Sequence, residues 1–343
     1  MKRMTVFWFC ILISSFCLAQ DFPSKPVRIV VPWPPGGNVD FTARTVQAAL
    51  AEALGQQVIV ENRAGAGGTI GSAQVAKSPA DGYTLLLGSS GTISAAPAVY
   101  KTIAYDPLKD FVAIGAIQYV PMVLTAAPKT PVATYGELLS YVKTKNAPVS
   151  VASAGNGSSN HLAIELLMRQ AGIRLVHVPY KGSGPALTDL LGSQVETMMD
   201  QLTASIGHIR EGRLKALAVT STARSPLLPN VPTLDELGVK GYEAGTYTGI
   251  FGPSGMPPAV IAKLGAALRK ALAVGSVRER YRDAGADVSD LSQAEFDIYV
   301  RADLEKWRKV ARRTSSWNDR PAAGCASTAF ISEPNAKTPG HAP

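Results

Sequence analysis

The chain is poor in cysteine, with three cysteines in 343 residues: Cys10, Cys17 and Cys325. The first two lie in an apolar N-terminal stretch, and neither follows the small residue expected of a lipid-modified cysteine. Once that stretch is removed, Cys325 is the only thiol, so the mature chain cannot form an internal disulfide. A protein without disulfides depends on its hydrophobic core, and about 290 residues are enough for two domains of ordinary size.

Long hydrophobic runs are also missing. The longest, Met4–Ala19, follows Lys2 and Arg3 and has sixteen residues, fewer than the roughly 18–20 that a spanning helix needs. A short basic region, an apolar run and a small residue before the cut are typical of a cleavable signal peptide. We therefore predict a signal peptide over residues 1–19, export, and a mature protein released into the periplasm.

The chain lacks the motifs of common enzymes and of nucleic-acid binding. There is no Gly-Lys-Ser/Thr phosphate loop, no G-x-S-x-G elbow, no H-E-x-x-H pair and no C-x-x-C, and the histidines have no metal-ligand spacing. The net charge of +8 falls to +6 without the signal peptide, and its cations are scattered rather than gathered in a stripe. We expect no cofactor, no metal, no catalytic residues and no nucleic-acid partner.

Strands and helices alternate along the rest of the chain. Buried-strand patterns such as "VRIVV" (27–31) and "LKALAVTS" (214–221) are separated by amphipathic stretches, which predicts an α/β protein with parallel sheets. Two such series, joined by the extended run 111–128, predict two lobes with a ligand cleft between them. We assign residues 20–123 and 247–311 to lobe 1 and residues 124–246 to lobe 2. The aperiodic segment 312–343 is predicted to be disordered and to take no part in binding or folding.

The first loop of the mature chain is "PWPPGGNVD", which runs from a strand into a helix. Gly36 and Gly37 leave backbone N–H groups uncovered, and Asp40 stands where an N-cap belongs. Such a helix N-terminus, at the carboxyl end of a strand, favours anions. Trp33 either covers a ligand there or packs between the lobes.

Three more loops have the same character: "GSSGT" (88–92), "SAGNGSSNH" (153–161) and "YKGSGPA" (180–186). One glycine-rich loop means little in an α/β protein, but four of them, two in each lobe, favour a cleft site. The ligand-binding candidates on these loops are Ser89, Ser90, Thr92, Gly155, Ser158, Ser159, His161 and Lys181.

Each of three candidates has a structural alternative. His161 could contact a ligand or close its own helix turn. Asp200, at the end of a strand, could receive a ligand ammonium or hydroxyl, or cap the next helix. Lys181 could be a solvated loop charge.

Several motifs together resemble the Bug family, the extracytoplasmic solute receptors of tripartite tricarboxylate transporters. They include "KPVRIVVPWPPGGNVD", "VENRAGAGGTIGSAQVAKSPADGYTLLLGSS", "HVPYKGSGPALTDLLGSQVE" and "LAVTSTARSPLLPNVPTLDELG". The resemblance runs from about Lys25 to Val310. It implies a two-lobed periplasmic binding-protein fold of the type II-like kind, whose small carboxylate ligand is held by backbone groups, hydroxyls and waters. By position, the Gly36–Gly37 loop and the Ser158–Ser159 loop would hold the carboxylate from opposite lobes.

The resemblance also implies a partner, the membrane components of a tripartite transporter, and we expect a monomeric receptor. "GSSGTISAAPAVY" and the segment after Val310 depart from the family pattern. Two alternatives remain at this point: a ligand sensor of the same fold that signals to a membrane protein, and an exported α/β hydrolase that uses Ser158 with His161.

Overall fold

A computed structural model describes residues 22–312. The predicted signal peptide lies outside the described residues, and so does the predicted disordered tail except for Arg312. The strands are β1 (Val27–Val31), β2 (Val58–Asn62), β3 (Thr84–Ser89), β4 (Phe111–Ala126), β5 (Val149–Ser153), β6 (Leu175–Pro179), β7 (Thr197–Gln201), β8 (Lys215–Val219), β9 (Gly245–Pro253) and β10 (Asp287–Val288). The helices are α1 (Asn38–Leu54), α2 (Thr69–Ala76), α3 (Ala96–Val99), α4 (Tyr135–Thr144), α5 (Ser159–Ala171), α6 (Ser183–Leu191), α7 (Leu202–Arg210), α8 (Pro258–Leu272), α9 (Gly275–Asp283) and α10 (Gln293–Arg312).

The predicted α/β alternation is confirmed. Strand β1 is the predicted "VRIVV", and its apolar side chains are buried because helices cover both faces of the sheet. Helix α1 begins at Asn38 and ends at Leu54, and the left-handed backbone of the next residue, Gly55 (φ 66°), closes the last turn. Arg312, which we assigned to a disordered tail, is instead the last residue of α10.

The strands form two parallel groups that share one long strand. In the first group β1 lies between β2 and β3, and in the second β5 lies between β6 and β7. Strand β4 pairs with β9 up to Pro121, with β7 from Met122 and with β8 from Val123. These β4 pairings are antiparallel, so the sheets are mixed rather than wholly parallel as predicted. Because β4 runs through both groups, it carries the chain from one lobe to the other.

Helix α10 contacts more than the first lobe, on which alone we had placed it. Its Phe296 and Val300 pack in a core cluster with Val30 and Leu86 of the first group. At its other end, Trp307 belongs to the cluster of the second group. A helix of 20 residues extends about 30 Å, long enough to reach both cores. It therefore crosses beside the shared strand.

Two absences hold within the described chain. Between residues 22 and 312, no helix is long and apolar enough to cross a membrane. In the same range no group of three or more His, Cys, Asp or Glu side chains is placed to hold a metal ion.

Candidate functional site

A cavity of about 30 Å³ lies where the carboxyl ends of both parallel groups face each other. It is lined by Trp33, Pro34, Gly37, Asn38, Val39, Ser89, Ala154, Ser159, Asn160, Ser183, Gln201 and Thr246. The helices that follow β1, β5 and β6 begin at this cavity, so three N-terminal ends with their partial positive charge surround it. A larger hollow of about 660 Å³ lies elsewhere, beside Ser221–Leu227 and Gly285–Val288, and holds none of the predicted site residues.

Four of the predicted residues line this cavity: Trp33, Gly37, Ser89 and Ser159. The other nine lie around it or farther away. The residues that sequence reasoning missed are Asn38, Asn160, Ser183, Gln201 and Thr246, together with apolar neighbours. Asn38, Asn160 and Ser183 lie inside the quoted glycine-rich motifs, so the sequence carried a signal for them. Gln201 and Thr246 lie on strands and carry no such signal.

The opening loop is fixed by Asp40. Its carboxylate accepts hydrogen bonds from the Gly36 N–H (3.1 Å), the Arg44 Nε (3.0 Å) and the Asn62 Nδ2 (2.9 Å). Burial by itself would raise the pKa of Asp40, but these hydrogen bonds outweigh it and lower the pKa below its usual value. The side chain is thus fully occupied and does not line the cavity.

Our interpretation of Asp40 as the N-cap of α1 is wrong. The N-cap position is Gly37, which has no side chain to cap the helix, and Asp40 is in the first turn. Its carboxylate reaches back to Gly36 because that residue has a left-handed backbone (φ 88°). Gly37 is extended (φ −94°), so only Gly36 needs the conformational freedom of glycine.

Two buried donors of the first group have no acceptor. Trp33 Nε1 and Asn38 Nδ2 lack a hydrogen-bond partner within the described chain, and both residues line the cavity. The amide of Asn38 is held by its oxygen, which accepts from Gln118 Nε2 and Thr203 Oγ1, both at 2.8 Å. Leaving a buried donor unpaired costs about 1–3 kcal/mol of stability. A ligand that offers this wall a hydrogen-bond acceptor would therefore bind favourably.

The indole of Trp33 is held between two glycines. A Cβ on Gly68 would stand 3.2 Å from Trp33 Cε2, and a Cβ on Gly91 would stand 3.1 Å from Trp33 Cζ2. Gly68 also has a left-handed backbone (φ 87°), and its Cβ would be 2.5 Å from Thr92. These close approaches fix the ring and therefore the position of its N–H group.

The predicted "GSSGT" loop divides its side chains between two directions. Ser89 lines the cavity and caps the π-helical segment Ser90–Ala95. Ser90 faces away from the cavity, because its Oγ donates to Asp303 Oδ2 (2.5 Å) and accepts from Trp307 Nε1 (3.0 Å). Thr92 Oγ1 accepts from the Ser89 N–H (3.1 Å). Ser90 and Thr92 thus hold the segment in place from outside the cavity.

The "SAGNGSSNH" loop is closed by its own side chains. Ser158 is the N-cap of α5: its Oγ accepts from the His161 N–H (3.2 Å) and donates to the Gly155 carbonyl (2.7 Å). His161 Nδ1 accepts from the Gly157 N–H (3.1 Å), and the ring stacks on His177 with centroids 3.7 Å apart. These contacts close the first turn of α5, which is the structural alternative given for His161, and His161 does not line the cavity. Ser159, the next residue after the cap, faces the cavity.

The backbone of this loop lies close to β6. Gly155 has a left-handed backbone (φ 129°), and a Cβ there would stand 2.6 Å from the Tyr180 carbonyl oxygen. Lys181, the next residue after Tyr180, is exposed and does not line the cavity.

A polar network forms the wall of the second group. Ser183 Oγ donates to Asp200 Oδ1 (2.7 Å), and Gln201 Nε2 donates to Asn160 Oδ1 (3.0 Å). The amide of Asn160 in turn donates to the Met199 carbonyl (2.9 Å). Ser183, Asn160 and Gln201 of this wall therefore each have a hydrogen-bond partner within the protein.

Asp200 does not line the cavity but lies behind two residues that do, Ser183 and Asn160. It is fully buried, and it accepts from Ser183, Asn160 and Ser205. Burial raises the pKa of Asp200 to about 6, and the hydrogen bonds limit the rise. The capping role for Asp200 is not what the structure has, because the N-cap of α7 is Gln201 and no side chain caps it.

Two lobes joined by a shared strand, with helix N-termini converging on a cavity between them, define the architecture of periplasmic solute-binding proteins. The chain matches the family described as "Tripartite tricarboxylate transporter family receptor" over residues 42–315, and it belongs to that family. This confirms the resemblance drawn from the sequence motifs.

Known proteins agree with this membership. Protein BugT of Bordetella pertussis is 37% identical over 305 residues, which cover 89% of this chain and 94% of BugT. The structure of the periplasmic binding protein BugD is similar with a TM-score of 0.82 and 41% identity, over 85% of this chain and 98% of BugD. MatC from Rhodopseudomonas palustris with bound malate gives a TM-score of 0.81 and 37% identity, over 84% and 100% of the two chains. The chain is thus a solute-binding protein of this type.

Proposed function

We propose that this protein binds a small organic carboxylate in the periplasm and delivers it to the membrane components of a tripartite tricarboxylate transporter. One observation carries the proposal: Trp33 Nε1 and Asn38 Nδ2 are buried donors without an acceptor in the described chain, and both residues line a cavity ringed by helix N-termini. A carboxylate supplies acceptors for both and gains charge-assisted hydrogen bonds. The malate bound by MatC is a ligand of this class.

The size of the cavity implies motion. A volume of about 30 Å³ has room for about two water molecules, which is less than a dicarboxylate needs. Ligand entry therefore requires the lobes to part. Strand β4 exchanges its partners between Pro121 and Met122, which makes this point the natural hinge. We propose lobe 1 as residues 20–123 and 247–311 and lobe 2 as residues 124–246, with α10 supporting both.

Binding is favoured over hydrolysis by the geometry of Ser158 and His161. The Ser158 hydroxyl donates to the Gly155 carbonyl, and His161 Nδ1 accepts from the Gly157 N–H. Both side chains serve the turn, so neither is arranged as an activated nucleophile with its base. We propose a non-enzymatic, monomeric receptor, exported by the signal peptide 1–19.

A thermal-shift and calorimetric screen tests the proposal. Malate, succinate, citrate and lactate are compared with glucose and with NaCl at matched ionic strength. A carboxylate at 100 times its Kd should stabilise the protein by about 2.7 kcal/mol. A response to sugars with none to any carboxylate would contradict the proposal. Capture of the membrane components from detergent extracts, with the ligand-loaded protein as bait, tests the transporter partner separately.

A further inference from the structure

We propose that the ligand carries a hydroxyl group beside its carboxylate, and that this hydroxyl donates a hydrogen bond to Ser183 Oγ. The inference rests on the proposed function and narrows it from carboxylates in general to hydroxycarboxylates. The direction of the single hydroxyl hydrogen of Ser183 determines which group a ligand must present to its Oγ.

The hydroxyl hydrogen of Ser183 is already donated to Asp200. Ser183 Oγ lies 2.7 Å from Asp200 Oδ1, and its other acceptor, Gln201 Oε1, is farther away at 3.4 Å. Asp200 is fully buried and also accepts from Asn160 Nδ2 and Ser205 Oγ, both at 3.3 Å. A carboxylate surrounded by donors on both oxygens is an acceptor only. Because burial raises the pKa of Asp200 only to about 6, the group is ionised at neutral pH.

Ser183 Oγ consequently offers the cavity lone pairs and no hydrogen. Ser183 lines the cavity, and an oxygen of a ligand carboxylate set against its Oγ would bring lone pairs together. The opposite wall has the reverse character, since Trp33 Nε1 and Asn38 Nδ2 are donors that need an acceptor. A ligand that satisfies both walls presents its carboxylate to Trp33 and Asn38 and a hydrogen-bond donor to Ser183.

A hydroxyl fits this position better than an ammonium group. Ser183 is the first residue of α6, so the backbone N–H groups of that helix start are donors beside its Oγ. A hydroxyl can donate to Oγ and accept from such an N–H, whereas an ammonium has no lone pair. The N-termini of α1, α5 and α6 also oppose a cation. The oxygens of Gln201 and Asn160 are engaged in the network, and Asp200 is screened by Ser183.

Matched ligand pairs test the inference by isothermal titration at pH 8. Each pair differs by one hydroxyl group: lactate and propionate, malate and succinate, citrate and tricarballylate. The hydroxylated member of the pair that binds should bind at least tenfold more tightly. In Ser183→Ala the ratio should fall below about threefold, because the hydroxylated member loses the acceptor for its hydroxyl group. Aspartate is included as the ammonium counterpart of malate.

Ser205→Ala is the matched control. Ser205 also donates to Asp200 but from the other side, to Oδ2, and it does not line the cavity. This variant should keep the preference for the hydroxylated member, and a thermal melt confirms that both variants are folded.

Three results would overturn the inference while leaving carboxylate binding intact. They are equal affinity within a pair, a preference that persists in Ser183→Ala, and aspartate binding more tightly than malate. Failure of every carboxylate to bind is a different result, and it would contradict the proposed function together with this inference.

Discussion

The two walls of the cavity differ in whether their hydrogen-bonding side chains have partners within the protein. On the wall that follows β1, Trp33 Nε1 and Asn38 Nδ2 are buried donors with no partner in the described chain. On the wall at the ends of β5, β6 and β7, Ser183, Asn160 and Gln201 are hydrogen-bonded to one another or to Asp200. The two donors of the first wall stay unpaired without a ligand, whereas these three side chains of the second wall are paired in its absence.

This difference separates two tasks that a binding protein has to perform. A satisfied network holds its side chains in fixed positions and so selects among ligands. Unpaired donors cost about 1–3 kcal/mol each until an acceptor arrives, so they contribute their energy at the moment of binding. We infer that the first wall supplies affinity and the second wall supplies selectivity.

The largest effect is expected where the walls approach each other. A Cβ on Gly37 would lie 3.6 Å from Ser183 Cβ, an ordinary contact, and the backbone of Gly37 is extended. Gly37→Val can therefore fold, but its two methyl groups fill the space between the walls. We expect malate affinity to fall at least a thousandfold, about 4 kcal/mol, while the melting temperature stays within about 3 °C. Isothermal titration and a thermal melt measure the two quantities.

Asp40→Ala is the companion variant for that experiment. Asp40 holds the same loop from behind through Gly36, Arg44 and Asn62, and it does not line the cavity. Its removal should lower the melting temperature and change affinity only severalfold. Normal binding by Gly37→Val with a collapsed melting temperature would show that the loop is only a turn, and the carboxylate site would have to be sought elsewhere.

The sequence predicted the loops of this site better than its side chains. Strand-to-helix loops are marked by glycine, serine and a change of hydrophobic period, and these local signals identified all four. Which side chain on a loop faces the cavity depends on partners far away in sequence. Ser90 is turned outward by Asp303 and Trp307, more than 200 residues away, and no local pattern encodes that contact.

The same limit explains the two corrections on helix starts. Asp40 was expected to cap α1 but reaches back to Gly36 and across to Asn62 of β2. Asp200 was weighed as the cap of α7 but is bound by Ser183, Asn160 and Ser205. In both cases a partner on another element competes with the local cap, and the sequence does not show that partner. The fold was more predictable because burial patterns and helix starts recur within each segment.

The second-largest expected effect is on the pH dependence of stability. Its sign is opposite for Asp200, behind the second wall, and Asp40, behind the first. Burial raises the pKa of Asp200 from 3.8 to about 6, so between these values the folded protein holds a proton that the unfolded chain has released. The contribution of Asp200 to stability therefore falls by about 3 kcal/mol as the pH rises through this window. Relative to Asp200→Asn, the wild-type protein should be more stable at pH 4 than at pH 7 by most of that amount, in urea titrations.

Asp40 provides the opposite sign within the same site. Its pKa is lowered by hydrogen bonds that outweigh burial, so its contribution is present above about pH 4 and is lost as the pH falls. The stability of the wild-type protein relative to Asp40→Asn should thus decrease towards acid. Parallel curves for wild type and Asp200→Asn across pH 4–7 would contradict the buried, ionisable role of Asp200.

The smallest effect is expected from removing one donor of the first wall. Trp33→Phe deletes the Nε1–H group and keeps an aromatic ring between Gly68 and Gly91. The lost charge-assisted hydrogen bond should weaken malate binding about 10- to 100-fold, or about 1.5–3 kcal/mol. Stability should change by no more than about 1 kcal/mol, because the loss of ring packing is offset by removal of a buried unpaired donor. Titration calorimetry and urea unfolding measure the two effects.

Asn160→Ala, on the second wall, should show the reverse pattern in stability. Asn160 donates to the Met199 carbonyl and accepts from Gln201, so its loss leaves buried groups unpaired and should lower the free energy of unfolding by about 1–3 kcal/mol. The two walls should therefore differ in their effect on stability as well as on affinity. If Trp33→Phe destabilised the protein as much as Asn160→Ala does and bound malate normally, the indole N–H would have no role in binding, and the first wall would be structural like the second.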